Sequence, residues 1–593
     1  MRELISQSDF ISATNLKFES LAKPLMKVTG LNAVNHLYDN ICDFSGVDFL
    51  DQLFGNLDIE ISVDPHELER IPKTGSFITV SNHPFGAIDG MALIRTIHSV
   101  RPDFKAMANF LLQKVGPISD FFIPVNPFED LQHVRRSTAG IKRAIGHLRE
   151  GQPLGLFPAG EVSTYTGSPR QIMDREWQAS AIRLVQKAKV PVVPVYFQGG
   201  NSKLFHILGM LHPSLRTAAL PSEMMKKRGS TIKMRIGTPI SAEDVAGFGN
   251  TKELGEHLRM RTYALGSGIA EPPAPKILIK PLRDAKPPES IIPPTPRKDL
   301  IAEIEKLAEL KILSKSDYDL YVSPGERIPN VLREISRLRE ITFREAGEGG
   351  NLSCDTDKFD GYYRHLFLWN RKEKEIAGSY RIAHGAEIME TRGVDGFYLS
   401  TLFKLREEFH PVLRKCFELG RSFVVKKYQK KNLPLFLIWK GLFQYIERHK
   451  DECEHLIGPV SISNQYAAYS KSLIAAFIQK YHFDEELAKH IRPRKAYKFN
   501  VNDETLARIL NCTQDDLKKL DLYLQNIDPS HFSVPILLKK YIYQNAKIIG
   551  FNIDPKFNNC LDGLIILNVD KIPSSTVNKL RDELSQKKDE NTR

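Results

Sequence analysis

A histidine and an aspartate stand six residues apart, directly after a predicted strand. The strand covers residues 76–80, and His83 and Asp89 follow it in the segment SNHPFGAIDG, which opens a predicted helix at 89–98. A histidine at the carboxyl end of a strand, beside glycines, lies where open α/β sheets bind ligands. The carboxylate can turn back to hold one imidazole nitrogen, which leaves the other to take a proton from an attacking hydroxyl. We therefore predict His83 as a general base and Asp89 as its partner, with a plain surface or core histidine as the alternative.

Two further segments end predicted strands. LFPAGEVS (156–163) ends a strand at 153–157, and VPVYFQGGN (193–201) ends a strand at 190–197. Their loops should therefore face the same edge of the sheet as His83. Backbone N–H groups near the start of the 89–98 helix would supply an oxyanion site there. No G-x-S-x-G segment offers a competing serine nucleophile.

Strands and helices alternate through the first half of the chain. Strands are predicted at 76–80, 121–125, 153–157, 190–197 and 231–236, with helices at 135–150 and 175–188 between them. This alternation favours a mainly parallel α/β sheet. In the second half, helices are predicted at 299–312, 329–340, 400–407 and 467–481, and strands at 365–369 and 375–383. These elements indicate a second α/β domain.

The chain of 593 residues exceeds what one hydrophobic core normally organises, so more than one domain is expected. Residues 271–297 contain nine prolines, and such a run is extended rather than packed. We predict a helical cover at 1–70, a first α/β domain at 71–268, a linker at 269–298, a second α/β domain at 299–582 and a disordered tail at 583–593.

The segments NHPFGAIDG and FPAGEVS carry a family resemblance. They resemble glycerolipid acyltransferases of the lysophosphatidate type, whose signature is a His-x4-Asp pair followed by an FPEGT-like block. The closest likeness is to the hemolysin-like branch, which includes lyso-ornithine-lipid O-acyltransferases. The spacing here is His-x5-Asp and the glutamate falls two positions later, which fits this branch and counts against a glycerol-phosphate acceptor. The resemblance implies that His83 and Asp89 are catalytic and that the acceptor is contacted by Asn82, Phe157, Pro158, Gly160 and Glu161.

A second resemblance covers segments after the proline-rich run. RLREITFREAG (337–347), DKFD (357–360) and AGSYR (377–381) follow one another in an order that resembles acyl-homoserine-lactone synthases, which carry an R-x3-F segment, a DQYD-like block and a V-G-x-x-R strand. ELGRSFV (418–424) and LLKKYIYQNAKIIG (537–550) resemble ornithine N-acyltransferases more closely still. The resemblance implies a GNAT-like fold that acylates an amino group, typically from acyl carrier protein. It implies substrate binding by Arg339, Phe343, Asp357, Asp360 and Arg381.

These residue types suit an amino-acid acceptor. An ammonium needs nearby carboxylates, which Asp357 and Asp360 could provide, and a carboxylate needs a guanidinium such as that of Arg339 or Arg381. The alternative is a structural salt-bridge network at a domain edge. The residues do not single out a general base. A basic cluster is formed by Lys426, Lys427, Lys430 and Lys431. It is either a docking surface for an acidic carrier protein or a solvated loop.

Together the two halves resemble bifunctional ornithine-lipid synthases over nearly the whole chain. The resemblance implies that the C-terminal half joins a 3-hydroxyacyl chain to the α-amine of an amino acid. Ornithine is the amino acid that the resemblance favours. The N-terminal half then esterifies the hydroxyl of this lyso-aminolipid. The donor is acyl-ACP or acyl-CoA, and no metal or other cofactor is expected. The alternatives are a lysophospholipid acyltransferase with a non-catalytic carrier-binding half, a glycine- or serine-type lipoamino acid synthase, and a membrane-lytic factor, for which a His/Asp pair would have no use.

The distribution of charged and apolar residues indicates where in the cell the protein acts. The net charge is +12, and residues 203–235 combine KLFHILGMLHPSL with seven basic residues and a single glutamate. This combination suits an anionic membrane surface, the alternative being a helical hairpin whose apolar side chains face the core. No long uncharged apolar run, signal-peptide core, CxxC pair or nucleic-acid motif occurs. We expect a cytoplasmic protein, peripheral at the inner face of the cytoplasmic membrane, with no zinc and no nucleic-acid partner. Arg135 and Arg136 are either anion binders or solvated helix charges.

Overall fold

The computed structural model describes residues 2–8, 26–27, 29–109, 115–125, 134–166, 171–211, 213–267, 288–498, 504–528, 530 and 532–578. Most of the predicted linker and the whole predicted tail lie outside these residues. The chain divides into two compact units. The first unit comprises Met1–Pro273 with Gln525–His531, and the second comprises Ala274–Leu524 with Phe532–Arg593.

The first unit is built on a seven-stranded sheet, counted over its described residues, with strand order β1-β9-β8-β2-β5-β3-β4. The strands from β8 to β4 are parallel to their neighbours, whereas β9 is antiparallel to β8. The predicted mainly parallel sheet is therefore confirmed. The strands of this unit, including the separate hairpin of β6 and β7, are β1 (Glu60–Ser62), β2 (Ile78–Ser81), β3 (Lys105–Asn109), β4 (Phe122–Val125), β5 (Leu154–Leu156), β6 (Thr164–Thr166), β7 (Gln171–Met173), β8 (Val192–Phe197) and β9 (Thr231–Ile236).

Helices cover both faces of this sheet. Along β8, Val193 and Val195 belong to one buried cluster and Val192 to another, because successive side chains of a strand point to opposite faces. Phe49 from the N-terminal region belongs to the first cluster, and Trp177 to the second. The helices are α1 (Leu31–Ile41), α2 (Gly46–Asn56), α3 (Pro65–Leu68), α4 (Ala87–His98), α5 (Val134–Arg149), α6 (Ala179–Ala188), α7 (Lys203–Leu211), α8 (Pro213–Lys226), α9 (Ala242–Ala246) and α10 (Thr251–Ser267).

The second unit is built on an eight-stranded sheet in the described residues, with strand order β10-β11-β12-β13-β15-β16-β19-β18. All neighbouring pairs are antiparallel except β15 and β16. Strands β14 and β17 pair separately. The strands are β10 (Lys311–Lys315), β11 (Tyr318–Pro324), β12 (Arg364–Asn370), β13 (Glu375–His384), β14 (Phe403–Leu405), β15 (Cys416–Val424), β16 (His455–Ile462), β17 (Ile491–Pro493), β18 (Lys547–Asp554) and β19 (Cys560–Asn568).

The parallel pair is short. Its register joins Cys416 to His455 and ends with Glu418 opposite Ile457, although β15 continues to Val424 and β16 to Ile462. The two strands therefore separate after Glu418. The helices of this unit are α11 (Arg297–Glu305), α12 (Pro329–Glu345), α13 (Gly385–Thr391), α14 (His410–Arg414), α15 (Lys426–Gln429), α16 (Asn432–Arg448), α17 (Ala468–Tyr481), α18 (Glu485–Ala488), α19 (Glu504–Thr513), α20 (Leu517–Ile527) and α21 (Ile536–Ile542).

Two predicted helices differ most from the structure, apart from shifts of up to five residues at the ends of others. The helix predicted at 400–407 is wrong, because this segment forms a short 3-10 turn and then strand β14. Its apolar side chains Leu402 and Phe403 are both buried, and apolar spacing over so few residues does not distinguish a helix from a strand. The helix predicted at 299–312 ends at Glu305, and β10 begins at Lys311. Among the described residues, no helix combines the length and the apolar character needed to cross a bilayer.

Candidate active sites

The loop between β2 and α4 brings His83 and Asp89 together. Gly86 ends the loop with φ +93°, and a side chain there would lie 3.0 Å from Leu220, so the tight turn requires glycine. Asp89 lies in the first turn of α4 and accepts hydrogen bonds from the main-chain N–H groups of Phe85 (2.9 Å) and Gly86 (3.1 Å). The same carboxylate oxygen lies 3.0 Å from Nδ1 of His83.

This geometry leaves one imidazole nitrogen for chemistry. Asp89 is fully buried, and burial raises the pKa of its carboxyl, whereas the contact with His83 and the two amide hydrogen bonds oppose that rise. The side chain of His83 keeps 19% of its surface exposed. Because Nδ1 faces Asp89, Nε2 is the nitrogen that can accept a proton from a substrate. The amides of Phe85 and Gly86 donate to Asp89, so they do not form the predicted oxyanion site.

The segment after β5 packs beside His83. The ring of Phe157 lies 4.4 Å from the imidazole, measured between centroids, and the main-chain N–H of Ser163 donates to the carbonyl of His83 at 2.8 Å. Gly160 has φ +68°, and a Cβ there would lie 2.2 Å from the Gln178 side chain. The carbonyl of Pro158 accepts from the N–H of Gln178 at 2.9 Å. The predicted residues of this block are thus brought to the same loop edge as His83.

Glu161 is bound by two arginines. Nη2 of Arg216 in α8 donates to its carboxylate at 2.6 Å, and Nη1 of Arg175 lies 3.4 Å away. Arg216 is buried, whereas Arg175 is largely exposed. Glu161 therefore links the segment after β5 to α8, and a charge-assisted pair of this kind fixes both partners.

Asn82 joins the His83 loop to the end of β8. Its amide nitrogen donates to the carbonyl of Phe197 at 2.9 Å, and its oxygen accepts from the N–H of the same residue at 2.7 Å. The carboxamide is buried and bonded to main chain at both ends. In this arrangement Asn82 positions the loop that carries His83 and connects it to the third predicted segment.

Asp174 is a central residue that the sequence did not indicate. Its buried carboxylate accepts hydrogen bonds from Oγ of Ser163 at 2.6 Å, Nε1 of Trp177 at 3.1 Å and the main-chain N–H of His83 at 3.2 Å. It thus ties the loop after β2 to the segment after β5. Asp174 follows β7 and lies 91 residues from His83, so neither spacing nor a motif could identify it.

In the second unit, Arg339, Asp360 and Arg381 form one buried cluster. Nη1 and Nη2 of Arg339 each donate to a different oxygen of Asp360 at 2.9 Å, and Nη1 of Arg381 donates to Asp360 at 3.0 Å and to Asp357 at 2.7 Å. Although burial alone would raise it, the two guanidinium groups hold the pKa of Asp360 well below its usual range. Arg339 also lies 3.1 Å from a carboxylate oxygen of Asp355. The predicted residues are brought together, and they bind one another.

Phe343 is joined to the charge cluster indirectly, through Phe557, whose ring lies 4.9 Å from the guanidinium carbon of Arg421. The ring of Phe343, carried by α12, is buried in the core and packs edge-on against Phe557, with the ring centroids 5.1 Å apart. Two members of the predicted lysine cluster pair with acids, Lys426 with Glu345 at 3.2 Å and Lys427 with Glu375. The side chains of Arg135 and Arg136 lie outside the described residues.

Arg421 extends the charge cluster and was missed as a site residue. Its backbone has φ +51°, next to an irregularity in the pairing of β13 with β15. Its guanidinium lies 3.0 Å from Asp355 and 3.7 Å from Asp357, and it donates to the hydroxyl of Tyr398 at 3.3 Å. A strained backbone at a strand bulge is a recurring way of aiming a side chain into a site.

Glu418 is the last residue of the short parallel pair. Its buried carboxylate accepts from the hydroxyl of Tyr363 and from the N–H groups of Tyr398 (3.1 Å) and Leu399 (2.8 Å). Burial raises the pKa of Glu418 to about 7, even though these hydrogen bonds lower it. Burial also raises the pKa of Asp562 in β19 to about 7. A pKa near 7 is the value that suits a general base at neutral pH, and both carboxyls are buried.

Two family models match the chain. One, described as Acyltransferase, matches residues 21–270, and the other, described as Acetyltransferase (GNAT) domain, matches residues 338–439. Both parts of the predicted α/β architecture are therefore confirmed, the acyltransferase domain in the N-terminal half and the GNAT domain in the C-terminal half.

Several characterised proteins are similar to this chain. A glycine N(alpha)-acyltransferase of Bacteroides thetaiotaomicron is 30% identical over 300 residues, which covers 48% of this chain and 87% of that protein. Its counterpart in Phocaeicola vulgatus is 28% identical over 299 residues, covering 48% of this chain and 90% of that protein. A lyso-glycine lipid O-acyltransferase of Bacteroides thetaiotaomicron is 29% identical over 223 residues, covering 36% of this chain and 79% of that protein.

Proposed function

We propose that this chain, which belongs to the family of the bacterial glycine N(alpha)-acyltransferases, is a bifunctional acyltransferase that makes a diacylated lipoamino acid. One observation carries this proposal. The same chain is similar to a glycine N(alpha)-acyltransferase and to a lyso-glycine lipid O-acyltransferase. An enzyme that holds both activities would keep the intermediate close to the second site instead of losing it to dilution.

The first step is N-acylation in the GNAT-containing unit. Glu418 takes a proton from the α-ammonium of the amino acid, and the free amine attacks the thioester carbonyl of a 3-hydroxyacyl donor. The C–S bond breaks as the amide forms, and the carrier leaves as a thiol. Support comes from the raised pKa of Glu418, about 7, and from its place where β15 and β16 separate.

The second step is O-acylation at His83. Nε2 takes the proton of the 3-hydroxyl while the oxygen attacks a second acyl thioester, and the proton then passes to the leaving thiolate. Asp89 stabilises the imidazolium that forms between these events. Support comes from the 3.0 Å contact between Nδ1 of His83 and Asp89 and from the partial exposure of the imidazole. Phe157, Pro158, Gly160 and Glu161 would line the acceptor site beside it.

The acceptor amino acid is glycine or ornithine. The names of the similar proteins favour glycine, which the sequence left as an alternative. Ornithine, the amino acid predicted from the sequence, carries a second ammonium. Asp554 and Asp562 receive hydrogen bonds from the neutral hydroxyls of Tyr398 (3.1 Å) and Ser461 (2.7 Å), and such carboxyls would suit that ammonium.

We further propose acyl carrier protein as the donor, with coenzyme A as the alternative. The lyso-lipid has one long chain and partitions into a bilayer, so the second step would take place at the inner face of the cytoplasmic membrane.

Lipid mass spectrometry tests this function. A host that lacks aminolipids would express the intact chain or its His83→Ala variant. The intact chain is expected to produce a diacylated aminolipid whose mass identifies the amino acid, and His83→Ala is expected to stop at the N-acyl lyso form. Acylated lysophospholipids without any aminolipid would show instead a phospholipid acyltransferase with a non-catalytic C-terminal half.

A further inference from the structure

Helix α7 presents two large apolar side chains to solvent. Leu204 is 57% exposed and Ile207 is 46% exposed. Residues three positions apart lie on the same face of a helix, so the two side chains form one apolar ridge. Its other face packs against the rest of the unit, because Phe205 and His206 are buried. Contiguous exposed apolar side chains mark surfaces that bind partners or membranes when charged residues accompany them.

Basic residues lie at the start of α7 and at the end of α8, which are joined through Glu223. Glu223 in α8 accepts from the N–H and the hydroxyl of Ser202 at 2.7 Å each, and from Nζ of Lys226 at 2.7 Å. This buried carboxylate therefore holds the end of α8 beside the beginning of α7. Lys203 in α7, Lys226 at the end of α8 and Arg228 two residues further are all exposed. We name these three residues, with Leu204 and Ile207, the α7 surface.

The α7 surface belongs to the same helical pair that borders the His83 loop. The rings of Tyr165 and His206 contact each other at a tilt, with their centroids 4.8 Å apart, and Arg216 of α8 donates to Glu161 at 2.6 Å. Lys227 turns inward instead, donating to the carbonyl of Gly200 at 2.8 Å with Nζ 4.4 Å from the Phe85 ring. The exposed surface and the O-acylation site are therefore carried by directly connected elements.

We propose that the α7 surface docks the first unit on an anionic phospholipid bilayer, with Leu204 and Ile207 entering the acyl-chain boundary and the three basic residues meeting lipid phosphates. This inference rests on the proposed function insofar as a lyso-lipid acceptor must be reached from a bilayer. Apolar side chains flanked by cations are the pattern of interfacial helices, and their binding depends on both burial and charge. An acidic carrier protein would use the cations but leaves the protruding pair less well explained.

Vesicle flotation of the full chain tests the docking. Vesicles of equal parts phosphatidylglycerol and phosphatidylcholine are compared with vesicles of phosphatidylcholine alone. Leu204→Ser/Ile207→Ser is expected to weaken binding to the anionic vesicles about tenfold or more, because the ridge supplies the apolar contact. Lys203→Glu/Arg228→Glu is expected to weaken it to the level seen with neutral vesicles. Leu352→Ser, which changes a leucine of similar exposure (49%), and Lys298→Glu/Lys306→Glu are the matched controls and should bind as wild type.

A second assay separates this inference from the proposed function. O-acylation of a water-soluble, short-chain N-(3-hydroxyacyl) amino acid should be unchanged in both α7 variants, while O-acylation of the long-chain acceptor in anionic vesicles should fall with binding. Wild-type binding that is absent or insensitive to either α7 variant overturns the docking and leaves the proposed function standing. Unchanged flotation with a raised KM for acyl carrier protein overturns it in favour of a carrier surface. Activity lost equally on the soluble acceptor would assign the residues to the substrate site instead.

Discussion

The His83 loop and the Arg339 cluster bring their predicted residues together in opposite ways. In the first unit, Asp89 holds Nδ1 of His83 and leaves Nε2 for a substrate, with the imidazole partly exposed. In the second unit, Arg339 and Arg381 bind Asp357 and Asp360, and the two arginines are almost completely buried. Motifs made of complementary charges can satisfy themselves, so proximity alone does not establish a substrate site. The alternative left open by the sequence, a structural salt-bridge network, describes the geometry of Arg339 well.

The largest expected effect is on chemistry at the first site. We expect His83→Gln to lower the rate of O-acylation by about 10²–10⁴-fold, because a positioned general base is lost. N-acylation and the midpoint of thermal unfolding should stay at wild-type values. His98→Gln, at the far end of α4, is the matched control. O-acylation of a lyso-lipid by purified protein measures the effect, and comparable loss in both variants would contradict the assignment.

Substitution of Arg339 in the second unit should mainly lower the stability of the fold. Arg339→Ala removes a cation that pairs with the buried carboxylates of Asp360 and Asp355. We expect this loss to lower the free energy of unfolding by about 3–5 kcal/mol. Arg327→Ala removes an exposed partner of Glu309 and should change stability little. Urea unfolding measures both. If Arg339→Ala were as stable as wild type but lost N-acylation with a raised KM for the amino acid, Arg339 would be a substrate clamp after all.

Glu418 should make the second unit pH-sensitive. Its pKa is raised to about 7 from an ordinary value of 4.5, so the folded state favours the protonated carboxyl. The corresponding stability is present below about pH 4.5 and is lost as the pH rises through 7. Relative to Glu418→Gln, wild type should therefore lose up to about 3 kcal/mol of unfolding free energy between about pH 5 and 8. If the unfolding free energies of the two proteins changed equally with pH, the pKa of Glu418 would not be raised by burial.

The smallest effect is expected at Asn82. Asn82→Ala leaves the N–H and carbonyl of Phe197 without their described partner, at a cost of about 1–3 kcal/mol in unfolding free energy. The rate of O-acylation should fall with it, because the His83 loop loses its anchor, whereas N-acylation should not. Unfolding and both activities are measured on one preparation. A raised KM for the lyso-lipid with unchanged stability would restore the predicted substrate contact.

The first site could be predicted because its main residues are close together in the sequence. His83, Gly86 and Asp89 lie within one loop and one helical turn, so strand, turn and helix signals in a short segment were enough to place them. Asp174 and Arg216 come from distant parts of the chain, and only the tertiary fold brings them to the same site. Their spacing in the sequence gives no sign of this contact. In the second unit, ELGRSFV was part of the resemblance, but the separation of β15 from β16, the backbone of Arg421 and the burial that raises the pKa of Glu418 are tertiary features. They could not be predicted from the segment itself.

The central claim is that one chain carries two separate acyl-transfer sites, and complementation between variants tests it most directly. Purified His83→Ala and Glu418→Gln proteins would each be supplied with the amino acid and acyl donors, alone and mixed, and the lipids analysed by mass spectrometry. The account predicts only N-acyl lyso-lipid from His83→Ala, no lipid from Glu418→Gln, and diacylated lipid from the mixture. Diacylated product from His83→Ala alone, or none from the mixture, would contradict it.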